Sequence, residues 1–269
     1  MANAYNPFTS PPHSVTVQGA YEPFDLQVSR NQIMGHQNIF VSGTNVSLGT
    51  SYSTVWSQSG LYSYLSSASV LEISSSSAAD IAAGTGARTV TIYGLDGNYN
   101  QINEVITLNG QTAVNTVNSY LRVFHLAVNT AGSGGAAAGT IYAGTGAVTA
   151  GVPAVIYGTY TASGGSSACI YTVPAGYTGY IYDFYVSFGS TTANVFARVG
   201  LFARPNGGVF DNSVQGVSAN GGSFVTPLSF PLAFSEKTDI EVRGLGTTSG
   251  GTITANFTIV LIKNDSQSA

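Results

Sequence analysis

Apolar and polar residues alternate with a period of two along most of this chain, the pattern of strands with one dry face. From Thr178 to Ser190 one parity carries Tyr180, Tyr182, Phe184, Val186 and Phe188, and the other carries Ile181, Asp183, Tyr185 and Ser187. From Asn194 to Arg204, Val195, Ala197, Val199, Leu201 and Ala203 alternate with Phe196, Arg198, Gly200, Phe202 and Arg204, so the second face is aromatic and basic. Ile240 and Val242 alternate with Asp239, Glu241 and Arg243, and Ile253, Phe257, Ile259 and Leu261 share one parity near the end. No segment shows a sustained helical stripe. The best candidate is Ala78 to Ala83, long enough for one or two turns.

Turn chemistry punctuates these runs. Arg88 to Tyr93 and Ile102 to Leu108 flank Leu95-Asp-Gly-Asn98, and a DG turn between alternating segments predicts a hairpin. Leu108-Asn-Gly110 predicts another turn, followed by a strand over Tyr120 to Val128. The predicted fold class is all-β: two β-sandwich or jelly-roll-like domains with an extended N-terminal arm. The arm covers 1–30, where Pro7, Pro11, Pro12 and Pro23 are interspersed with Tyr5, Phe8, Tyr21 and Phe24. A β-sandwich domain is expected over 31–150 and a jelly-roll-like domain over 151–269, with the glycine-rich stretch from Ala131 onward as the seam. Ala83-Gly-Thr-Gly-Ala87 recurs as Ala143-Gly-Thr-Gly-Ala147; nothing beyond the pentapeptide matches, so two glycine turns account for it better than an internal duplication.

Composition narrows what such a fold does. With 8 basic and 12 acidic residues, only 7% of the chain is charged, against about 25% in an ordinary soluble domain. The net charge of −4 and the absence of a basic run argue against a nucleic acid partner. No apolar run is long enough to span a membrane, and no basic and apolar leader opens the chain, so synthesis in the cytoplasm is expected. The lone Cys169 sits in a strand pattern and reads as a small buried hydrophobe.

Catalytic candidates are few. His13, His36 and His125 lie at no metal-ligand spacing, no GxSxG elbow occurs, and the acids are scattered. Gly84-Thr-Gly86 and Gly144-Thr-Gly146 lack the residues of a phosphate-binding loop. Asp96 to Asn100 could offer oxygens to calcium, but a hairpin tip explains the same residues. Neither an enzyme, a cofactor nor a metal is therefore expected. Tyrosine is the unusual resource: Tyr157, Tyr160 and Tyr177 fall in a cluster that fits either cross-strand pairing or a platform for sugars or protein.

Several segments resemble tailed-bacteriophage virion structural proteins, notably those of cyanophages and other marine phages. They are Gly84-Thr-Gly-Ala-Arg-Thr-Val-Thr-Ile-Tyr-Gly-Leu-Asp-Gly-Asn-Tyr-Asn100, Glu104-Val-Ile-Thr-Leu-Asn-Gly110, Ser119-Tyr-Leu-Arg-Val123 and Tyr171-Thr-Val-Pro-Ala-Gly-Tyr-Thr-Gly-Tyr180, together with Arg204-Pro-Asn-Gly-Gly-Val-Phe210 and Glu236-Lys-Thr-Asp-Ile-Glu-Val-Arg243. The resemblance spans about residues 25 to 263 and implies a β-sandwich or jelly-roll protein of the particle, with no catalytic residue attached to it. The expectation is a capsid decoration or cement protein on the virion surface, homotrimeric and bound to the major capsid protein. The alternative is a tail- or fibre-associated adhesin for host glycans. Candidate contact residues are Tyr5, Phe8, Tyr21 and Phe24 in the arm, and Tyr157, Tyr160 and Tyr177.

Overall fold

The structure, a computed structural model, describes residues 22–162 and 164–264. It opens with a short helix, α1 (Phe24–Ser29), then β1 (His36–Leu48) and β2 (Ser53–Thr54). Eight strands follow: β3 (Ser69–Ser75), β4 (Ala87–Leu95), β5 (Gln101–Thr107), β6 (Val114–Tyr120), β7 (Arg122–Ala131), β8 (Ile141–Thr145), β9 (Val155–Thr161) and β10 (Gly165–Ser166). The chain closes with β11 (Ile170–Thr172), β12 (Tyr177–Gly189), β13 (Phe196–Arg204), β14 (Asp211–Ala219), β15 (Ser223–Phe234), β16 (Asp239–Gly246) and β17 (Gly251–Lys263). Every paired strand is antiparallel, and the all-β sandwich class read from the sequence is what the molecule shows.

The first and last groups of strands build a jelly roll. One sheet runs β1-β17-β12-β15 and the other β11-β16-β13-β14, with β2 also on β16. Apart from β13 and β14, which pair with each other, strands consecutive in the chain of this unit cross from sheet to sheet, which is the double Greek key of a jelly roll. Their inner faces share one core of Val41, Phe184, Val186, Val199, Leu201, Val242, Phe257 and Ile259. The expected alternation holds from Val195 into β13, with Val195, Ala197, Val199 and Leu201 all buried, and in β17.

One strand of this jelly roll is interrupted. Along β16, Ser53 and Thr54 pair with Gly244 and Arg243, and Ile170 to Thr172 pair with Glu241 to Asp239. Between them the Val55 amide donates to Val242 (2.8 Å), the Cys169 amide to Val55 (2.8 Å) and the Val242 amide to Cys169 (3.0 Å). Trp56 and Ala168 bridge each other. The chain thus leaves one row of the sheet at Trp56 and returns to it at Ala168.

The intervening residues form a second sandwich, with sheets β10-β9-β8-β3-β6 and β5-β4-β7 over a core that includes Leu71, Ile73, Val90, Ile92, Tyr120, Leu126 and Ile141. The seam expected near residue 150 falls between β8 and β9, which are hydrogen-bonded neighbours in one sheet. The predicted β4–β5 hairpin is present. Asp96 Oδ1 accepts from the amides of Asn98 (2.8 Å) and Asn100 (2.9 Å), and Tyr99 takes a positive φ of 66° at the tip.

Two expectations are corrected. The arm was expected to stay extended to residue 30, but Phe24–Ser29 is helical. Pro23 at the N-cap fixes φ at −55°, Asp25 lies in the first turn, and Val28 is buried beneath the helix. Alternation placed Tyr180 and Tyr182 on the dry face of β12, whereas Ile181, Phe184 and Val186 are buried and Tyr182 is exposed. A bulge between Ile181 and Asp183 inserts an extra residue and restarts the alternation on the other face. Ala78 to Ala83 forms turns around Asp80, not a helix. The buried Asp80 carboxylate accepts from Ser75 Oγ (2.5 Å) and the amides of Ala87 (2.7 Å), Ala138 (2.8 Å) and Gly139 (2.9 Å). These bonds give a non-helical backbone its partners.

Gly43 in β1 packs against the interruption. A Cβ there would lie 2.3 Å from the Val55 carbonyl oxygen and 2.4 Å from the Cys169 amide nitrogen, backbone atoms already bonded to each other. Gly43→Ala is expected to destabilise the protein by about 1–3 kcal/mol in urea unfolding, as overpacking does. Gly49→Ala, with open space around it, should stay within about 0.5 kcal/mol of wild type.

Candidate functional site

Where the two sandwiches meet, the structure gathers charged residues that the sequence scatters. Asp239, at the start of β16, is buried and takes a bidentate bond from Arg122, at the start of β7, with Nε 2.7 Å from Oδ1 and Nη2 3.0 Å from Oδ2. Arg204, ending β13, donates to Oδ2 through Nε (3.1 Å) and Nη2 (2.6 Å), and Thr172 Oγ1 donates to Oδ1 (2.6 Å). Arg122 Nη1 also donates to the carbonyls of Leu65 (2.9 Å) and Leu121 (2.8 Å). One carboxylate therefore binds an arginine from each sandwich.

Two residues along β16, Glu241 accepts from Tyr64 (3.1 Å), Thr54 (3.3 Å) and Arg243. Aromatic faces cover the guanidinium groups. Tyr64 lies 5.0 Å from Arg122 and 4.7 Å from Arg204, and Phe210 lies 4.6 Å from Arg204 and 4.4 Å from Arg243. Burial raises the Glu241 pKa above its ordinary 4.5, although Arg243, Tyr64 and Thr54 pull the other way. Burial likewise pushes the Tyr64 hydroxyl up.

Beside this junction a cleft of about 480 Å³ opens between β1 on the jelly roll and β4, β5 and β7 on the inserted sandwich. Phe124 and Tyr171 stack in its wall with ring centroids 4.5 Å apart. At its mouth Phe40 is 66% exposed and Tyr93 41% exposed, with the His125 ring 6.1 Å from that of Tyr93. The lining holds no Asp, Glu, Lys or Arg: Gln101 Nε2 donates to Gln37 Oε1 (3.1 Å), and Asn103, Ser42 and Ser166 also line it.

The tyrosines singled out by sequence have separate places. Tyr157 is buried in β9, its carbonyl accepting from Tyr62 (2.9 Å) and its hydroxyl from Thr145 (3.3 Å). Tyr160 packs on the core of the inserted sandwich. Tyr177 packs on the jelly-roll core and accepts from Gln37 Nε2 (3.3 Å), which links it to the rim of the cleft. The structure does not bring these three onto one surface. Phe24 sets its ring edge-on to His36 at 5.8 Å, while Tyr5, Phe8 and Tyr21 lie outside the described residues. Cys169 is buried and its thiol pKa is raised by burial. Sequence reasoning passed over Arg122, Tyr64, Phe40 and Tyr93; the visible signals were the charge cluster at 236–243 and the basic, aromatic face of 194–204. No group of three or more His, Cys, Asp and Glu able to hold a metal occurs among the described residues, and no helix there is long and apolar enough to cross a membrane.

No family model matches the chain, and no curated protein matches it. Among solved structures it is similar to VP2 of infectious bursal disease virus. The VP2 subviral particle aligns over 87% of this chain and 74% of that one, at 13% identity and a TM-score of 0.24. The Gx strain structure aligns over the same shares at 10% identity and a TM-score of 0.23, and the Gt strain over 85% and 75% at 11% identity and 0.19.

Asp239→Ala leaves two guanidinium groups without their carboxylate and is expected to cost about 3–5 kcal/mol in urea unfolding. A pH dependence follows from Glu241. Its folded pKa exceeds its unfolded one, so the folded state binds the proton more tightly, and the resulting stability is full below 4.5 and lost as pH rises through the raised value. Unfolding free energies of wild type minus Glu241→Gln should therefore fall as pH rises from 4.5 upward. A flat difference would contradict this.

Proposed function

We propose that this protein is a non-enzymatic structural component of a tailed-phage particle, a decoration or cement protein on the outer surface of the capsid. In this reading it binds the major capsid protein as a homotrimer. The observation that carries the reading is a jelly-roll fold with an inserted sandwich, both exposing large apolar side chains on a surface with few charges. Of the few charged residues, Arg122, Arg204, Arg243, Asp239 and Glu241 are engaged in the junction, and Asp80 is buried in the inserted sandwich. Meanwhile Val117, Phe230 and Val209 are 89%, 86% and 81% exposed, and Val46, Val105, Val217 and Val225 stand out as well.

Scattered exposed apolar residues are ordinary on a monomer, but here few charges separate them. Surfaces that become buried in permanent assemblies are depleted of charge in this way. Jelly rolls recur in viral capsid proteins, and the segments that resemble phage virion proteins run through both sandwiches. Cyclic symmetry would repeat each weak contact across a shell. The arm, with Tyr5, Phe8 and Tyr21, is placed by this reading against a neighbouring subunit.

Copy number per virion, measured by quantitative mass spectrometry of purified particles, tests the assignment. On the order of hundreds of copies is expected for a shell protein. A dozen or fewer would place the chain in the tail and overturn the reading.

A further inference from the structure

We infer that the cleft between the two sandwiches is a binding site for a neutral oligosaccharide of about disaccharide size. The inference concerns the isolated protein and holds whichever part of a particle carries it.

Three features of the cleft select that chemistry. The first is its pair of partly exposed rings, Phe40 from the jelly roll and Tyr93 from the inserted sandwich. Neither ring is buried in a core, and a large apolar ring left in water at the mouth of a concave site offers its face to a ligand. The C–H-rich face of a pyranose stacks on such rings, and its hydroxyls need donors and acceptors around the edge. The second feature supplies these. The Gln101 side chain donates to Gln37, and the Asn103 amide has no hydrogen bond among the described residues. An amide both donates and accepts, as a sugar hydroxyl does.

The third feature is the absence of Asp, Glu, Lys and Arg from the lining. A charged ligand would lose its hydration without gaining a counter-charge, so the site disfavours sialylated or sulfated sugars. The volume of about 480 Å³ lies within the range of small-ligand sites. The two walls belong to different sandwiches held at fixed orientation by Arg122 and Asp239, so the site is preorganised.

The test is saturation-transfer NMR on the full chain with neutral disaccharides of glucose, galactose, mannose and N-acetylglucosamine, and with sialyllactose and a synthetic peptide of residues 1–21 as comparators. At least one neutral disaccharide is expected to bind, and Phe40→Ala and Tyr93→Ala should each weaken it at least tenfold. Both residues are exposed, and an unchanged melting midpoint confirms that the variants fold. Silence across the neutral panel overturns the proposal, as does binding that survives both substitutions. Preference for sialyllactose overturns the neutral-ligand assignment. Displacement of a bound sugar by the 1–21 peptide, or peptide binding alone, would reassign the cleft to the arm.

Discussion

The arrangement of the molecule depends on one carboxylate. The inserted sandwich joins the jelly roll through two chain crossings that lie side by side at Trp56 and Ala168, and two adjacent crossings form a hinge, not a fixed joint. Asp239 removes that freedom: its Oδ2 binds both Arg204 of the jelly roll and Arg122 of the insert, and its Oδ1 binds Arg122 as well. Taking these groups out of water is costly, and only near-complete hydrogen bonding offsets the cost. Thr172 and the Leu65 and Leu121 carbonyls provide it, and the Tyr64 and Phe210 rings shield it from solvent. Buried ion pairs are poor sources of net stability but good sources of geometric definition, and here the definition is the angle between two domains.

This use of charge alters the meaning of the composition. Scarcity of Lys, Arg, Asp and Glu first argues only against partners such as nucleic acid. In the folded molecule Arg122, Asp239 and Glu241 are buried in the junction and Asp80 within the inserted sandwich. The remaining outer surface is rich in Thr, Ser, Asn, Gln, Val and Phe, and with so few charges on it long-range repulsion between copies is weak. Contact between like surfaces then depends on shape and hydrogen bonding.

Much of the fold was legible because strand alternation is a local property. The inward sets of β13 and β17 and the Asp96-Gly97 hairpin could be read directly. What escaped was non-local. The bulge after Ile181 cannot be seen in a pattern that continues plausibly through it, and it moved Tyr182 from the core to the surface. The pairing of β1 with β17 joins residues more than two hundred positions apart, so a glycine-rich stretch near 131–150 looked like a boundary while the true crossings sit in Val55-Trp56 and Ala168-Cys169, which carry no linker composition. The site escaped for a related reason. Phe40 and Tyr93 belong to different sandwiches, and nothing near either residue announces the other.

The interrupted strand also bears on how the chain reaches this state. A row of the jelly roll built from 53–55 and 169–172 cannot be completed until two segments separated by the whole insert are brought together. Closing so long a loop has an entropic cost, and contacts of high sequence separation slow folding. The insert lowers that cost because its own core joins its ends: once it has formed, Trp56 and Ala168 lie within bridging distance. The second sandwich is thus a clasp for the first, and the two halves of the broken strand arrive at β16 already in register.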